Sequence, residues 1–136
     1  MKKLILGSLF ALSAGLAHNA MADGWPVSVV GNWNIIGNQH VGTLFIATQA
    51  AVGNCRRITG TVYPGTAVAH PIEGFYCPFS GRLQFVRKLP VNNDTIQIWT
   101  GNVSQDGVVD RMGGTFTSVN ATVGGSLGEY NFQGSR

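Results

Sequence analysis

Thr95, Gln97 and Trp99 occupy alternate positions of one run, Thr95 to Ser104. In an extended chain alternate side chains share a face, so a hydroxyl, a carboxamide and an indole stand together. Such a trio recognises rather than reacts. Two hydrogen-bonding groups beside an aromatic plate suit the binding of a small molecule. The opposite face carries Ile96, Ile98 and Thr100, and only one face can turn inward. If the polar–aromatic face does, the fold is a ligand cage, and the isoleucines are left for contact between subunits of a homo-oligomer. If the isoleucines do, the interior is packed solid and Thr95 and Gln97 are solvated.

Groups able to do covalent or acid–base chemistry are scattered. Glu73, Asp110 and Glu129 are isolated carboxylates with no second acid at a spacing for general acid–base work. Ser80 and Ser104 lack the Gly-x-Ser-x-Gly context of an activated nucleophile. His40 and His70 sit in or beside turns and read as surface residues. Arg56-Arg57 and Arg87-Lys88 read as solvated strand ends. The expectation is therefore no enzyme, no cofactor and no metal.

Compartment narrows the choice further. Lys2 and Lys3 precede an apolar run, Leu4 to Ala17, of the length of a secretory signal core and short for a bilayer span. Ala20-Met21-Ala22 is a small-x-small cleavage site, so residues 1–22 are expected to leave as a signal peptide. One domain, 23–136, remains, secreted or periplasmic. Losing Lys2 and Lys3 leaves seven basic against six acidic residues. That balance gives no reason to expect nucleic acid or an anionic membrane as partner. No later run is long enough for a membrane span. Cys55 and Cys77 are the whole cysteine complement. In an exported chain such an even pair reads as one disulfide.

The elements that must carry these residues are strands. Glycine is abundant, at 19 residues, and no segment shows a helical period. Extended segments are predicted at 31–36, 41–49, 56–63, 70–79, 82–89, 95–104, 108–119 and 129–136. Gly37-Asn38, Gly53-Asn54, Pro64-Gly65, Asn92-Asn93-Asp94 and Asp106-Gly107 are the turn signals between them. Residues 122–127, with Gly124-Gly125, read as a flexible connection. If Cys55 faces Cys77 across an antiparallel pair, facing residue numbers sum to 132, and the chain reverses around Thr66 beside Pro64-Gly65. Glycine recurs in mid-strand, as in Ile58-Thr59-Gly60-Thr61-Val62 and Trp99-Thr100-Gly101-Asn102-Val103, which suits strands that coil sharply. The predicted fold is all-β: an eight-stranded antiparallel up-and-down β-barrel with one disulfide, the alternative being a two-sheet sandwich.

The order of these motifs resembles the avidin and streptavidin family, within the calycin group of small ligand-binding barrels. Gly31-Asn32-Trp33 is similar to that group's Gly-x-Trp opening. Ile58-Thr59-Gly60-Thr61-Val62 is similar to the family's third-strand segment, and Thr95 to Asn102 to its sixth. The resemblance implies that Trp33 plugs the barrel floor, with Arg111 or Arg136 stacked on its ring. It also implies a biotin-type site at the other end, lined by Thr95, Gln97 and Trp99 with Asn34, Tyr63 and Phe116 nearby. The chain departs from the family at several site positions. Val62 stands where the third-strand Tyr is expected, with Tyr63 one residue later. Val86 or Arg87 holds the fifth-strand Trp position, and Thr115 or Phe116 the seventh. Asn34 follows Trp33 too closely to match the first-strand polar contact.

The function expected from all this is binding of a small ligand at the open end. The alternative is a protein-binding barrel. One form is a periplasmic metalloprotease inhibitor, a class similar in its Gly-x-Trp, its barrel and its one disulfide, whose N-terminal segment would be 23–30 here. Another is a surface adhesin.

Overall fold

The computed structural model describes residues 24–65, 67–89 and 95–136. The expected signal peptide and cleavage site, the reversal at Thr66 and the Asn92-Asn93-Asp94 turn lie outside the described residues. Eight strands follow one another in order: β1 (Gly31–Gly37), β2 (His40–Gln49), β3 (Arg56–Tyr63), β4 (His70–Cys77), β5 (Arg82–Lys88), β6 (Thr95–Asp106), β7 (Val109–Asn120) and β8 (Gly125–Ser135). Each pairs antiparallel with its neighbours in sequence, and β1 pairs with β8 to close the barrel. This is the predicted all-β barrel, not the sandwich.

The β3–β4 register is the one the cysteines imply. Arg57 faces Phe75 and Thr59 faces Glu73, and the Cys55–Cys77 disulfide caps the same ladder at its lower end. Such a bond is compatible with an oxidising compartment. The mid-strand glycines stand where strands approach too closely for a side chain. A Cβ on Gly74 would collide with the Gln84 carbonyl oxygen, and one on Gly114 with that of Thr100.

One element differs in extent. β8 starts at Gly125 rather than at Glu129, pairing Asn120 with Gly125 and Val119 with Ser126. The register shift between Ser118 and Val119 leaves Leu127 unpaired as a bulge and lets the ladder continue through a glycine-rich stretch that reads as a break.

The lower end is sealed by the arm at 24–30. Trp33 is fully buried and donates its indole N–H to Val29 O at 2.9 Å. Tyr76 donates to Pro26 O at 2.6 Å, Gln49 to Val27 O at 2.9 Å, and Gly24 pairs with Gln105. The guanidinium that stacks on the Trp33 ring, 4.6 Å from its centroid, is that of Arg136. It also bonds Ser28 O, Val30 O and the Asp110 carboxylate. Arg111, the other expected partner, points outward toward Asp106. Alternation is the reason: Asp110 and Met112 on either side of it are buried.

Candidate functional site

The interior is divided by height. From the Trp33 floor upward, Ile46, Tyr76, Leu83, Val103 and Leu44 are fully buried and leave a solid lower half. Above them, aromatic side chains from four strands meet. Trp99 stacks between Phe85, at 5.3 Å and 16°, and Phe116, at 4.3 Å and 12°. Phe132 is tilted against its edge at 4.8 Å. This plate is the top of the core, and an open cup of about 360 Å³ lies above it.

Trp99, Phe116, Gln97, Arg87 and Ser118 line that cup, with Tyr130 and His40 among its other walls. β6 turns its polar–aromatic face inward, and Ile96 and Ile98 lie on the outer wall, 37% and 41% exposed. Of the residues expected at the site, Gln97, Trp99 and Phe116 converge in the cup. Thr95 sits at the rim, its hydroxyl accepting a 2.6 Å bond from Asn120. Asn34 and Tyr63 do not belong to the cup, because both are exposed on the outer wall. Their neighbours Trp33, Ile35 and Val62 hold the inward positions. The parity of an extended strand leaves Asn34 and Tyr63 no other direction.

Two residues read in sequence as solvated or surface groups belong to the interior. Arg87 follows Leu83 and Phe85 on the inward face of β5 and is half-buried. His70 shares the inward face of β4 with Ile72 and Tyr76 and is 7% exposed. Same-parity neighbours were the available signal for both. Arg87 donates from Nε to His70 Nδ1 at 2.8 Å and from Nη1 to Gln97 Oε1 at 2.6 Å; Nη2 also contacts His70 Nδ1. The Trp99 indole N–H donates to the same Gln97 oxygen at 3.2 Å.

Electrostatics follow from this packing. Burial, and then the adjacent Arg87 charge, lowers the His70 pKa below its usual value, which favours a neutral ring. A neutral ring accepting at Nδ1 carries its proton on Nε2. Burial also lowers the Arg87 pKa, yet a guanidinium stays charged at neutral pH. The cup therefore presents a fixed cation and an aromatic plate. Among the described residues, no cluster of His, Cys, Asp and Glu able to hold a metal occurs.

No known protein family's model matches this chain, and no curated protein matches it in sequence. At the coarse level the closed eight-stranded antiparallel barrel is consistent with a calycin-like fold.

Proposed function

We propose that the protein is an exported binding barrel that holds one compact, largely apolar molecule in the cup above Trp99 and Phe116. The carrying observation is the division of the interior into a solid lower half and an open upper cup. A barrel serving only as a scaffold gains stability by filling its interior; here the aromatic plate stops partway up. A cup of about 360 Å³ lies toward the small end of the usual range for ligand pockets. Trp99 and Phe116 offer apolar area, and Gln97, Ser118 and Arg87 offer the few polar contacts that orient a ligand. The sequence resemblance to avidins supports the same end of the barrel as the site, although Asn34 and Tyr63 face away from it. Reading the chain as an inhibitor that inserts its N-terminal arm is less well supported, because residues 24–30 are bonded to the barrel's own floor. The leader-like start and the disulfide support a periplasmic or secreted setting.

The test is titration with the neutral dye N-phenyl-1-naphthylamine, followed by its fluorescence gain. Saturable binding is expected in the native protein and its loss in Ser118→Trp, which fills the cup. Absence of binding, or equal binding by a folded Ser118→Trp variant, would sink the proposal.

A further inference from the structure

Among the described residues, the cup's charge is not balanced from within. No acidic side chain lines it among the described residues, and none of the ion pairs there involves Arg87. The nearby acids are committed elsewhere or face away: Glu73 pairs with Arg57 on the outer wall, Asp110 with Arg136 at the floor, and Glu129 is exposed. His40 and Tyr130 are the other titratable groups of the lining. A half-buried guanidinium with no counter-charge among the described residues loses hydration and gains little from them in return.

The hydrogen bonds around it show which polarity is left over. His70 and Gln97 engage only part of the five-donor guanidinium. Arg87 and Trp99 both donate to Gln97 Oε1, so the Gln97 amide group is turned with its NH2 as the end free for other partners. A cation and an amide donor thus stand side by side above a flat aromatic plate. The complement of that arrangement is a group that only accepts hydrogen bonds and carries negative charge, and a carboxylate does both.

Resting on the reading of the cup as a small-molecule site, we propose that its ligand is a monocarboxylate with a flat apolar body. Arg87 and Gln97 hold the carboxylate, and Trp99 and Phe116 support the body. His70 is a positioning residue that fixes the Arg87 fork.

A matched pair of compounds tests this: naphthalene-2-carboxylate and its neutral amide, naphthalene-2-carboxamide, titrated calorimetrically into the full chain at neutral pH. The acid is expected to bind at least about ten-fold more tightly, the size of a charged hydrogen-bonded contact. In Arg87→Met the two compounds should bind within about two-fold of each other, and Arg87→Lys should restore part of the preference, because it keeps charge without the fork. Should Arg87→Met fail to fold, the native protein's preference alone decides. If the amide binds as tightly as the acid, the anionic ligand is overturned while the cup remains a binding site. If neither compound binds, the monocarboxylate is overturned, and the dye titration decides whether the cup is a binding site at all.

Discussion

At the scale of single residues, side-chain parity explains nearly every placement. Trp99 and Gln97 face inward with Val103 and Gly101, and Asn34 faces outward because Trp33 and Ile35 do not. The same rule, applied to Leu83 and Phe85, puts Arg87 inside. Read instead as half of an Arg-Lys pair, that residue looks solvated. Parity does not give depth, and so it cannot separate a packed position from a cup-lining one. That depends on Phe85, Trp99, Phe116 and Phe132, which reach one plate from four strands. Tyr76 at the floor allows a direct test of burial. Desolvation, with Asp110 adding to it and Arg136 and Arg56 opposing, pushes its phenol up to about 12 from 10.0. The folded chain then holds that proton more tightly than the unfolded chain. Stability is accordingly intact below pH 10 and falls as pH rises toward about 12. Absorbance titration of the phenolates should show one of the three tyrosines ionising late. In Tyr76→Phe the late step should vanish, and with it the part of the alkaline loss of stability that Tyr76 contributes.

At the scale of elements, turns and cross-links were the most legible parts. The cysteine spacing and Pro64-Gly65 agree on one β3–β4 register, and the ladder has it. A glycine-rich stretch misleads in the other direction: Gly124-Gly125 looks like a break, yet β8 begins there, because a bulge at Leu127 restores the pairing. The β1–β2 turn at the cup rim carries a conflict of its own. Asn38 and Gln39 both have positive φ, 45° and 69°. Asn tolerates this conformation, but Gln has no local side-chain bond to offset it. Gln39→Gly should therefore stabilise the protein by about 1 kcal/mol, measured by denaturant unfolding. An unchanged midpoint would show that the turn is not strained there. The disulfide spans 22 residues. Replacing Cys55 and Cys77 together with alanine is expected to cost about 3 kcal/mol, by the entropy of the loop it closes. The cup lies at the far end of the barrel, so the double variant should still bind the neutral dye wherever it is folded.

At the scale of the whole molecule, the proposed binding cup and the sealed floor occupy opposite poles. The floor is held by residues 24–30 and Arg136, with Trp33 at its centre. The cup opens among the β1–β2, β3–β4 and β7–β8 connections. The described residues include no helix long and apolar enough to cross a membrane. The predicted barrel, its strand order and its sealed end were legible because each rests on local patterns: alternation, turn residues and Gly-x-Trp. The cup's chemistry was less so, since it arises from side chains on β4, β5 and β6 that become neighbours only on closure.

That closure has a weak line. β6 and β7 pair over their whole length, from Thr95–Asn120 to Asp106–Val109, whereas β1 meets β8 only from Asn34–Ser135 to Gly37–Phe132. The short seam also joins the most distant parts of the chain, so its loop-closure entropy is the largest in the fold. The hairpins are then expected to form early and the cylinder to zip shut last. Once shut, it should breathe along the same line. Native-state hydrogen exchange should find the seam amides of β1 and β8 opening at lower free energy than those of the β6–β7 ladder. Uniform protection around the cylinder would mean that it opens only by unfolding altogether. A barrel that parts at this seam opens the proposed site sideways as well as at its mouth, because Gly37 and Phe132 border the Trp99–Phe116 plate from the two sides of the gap.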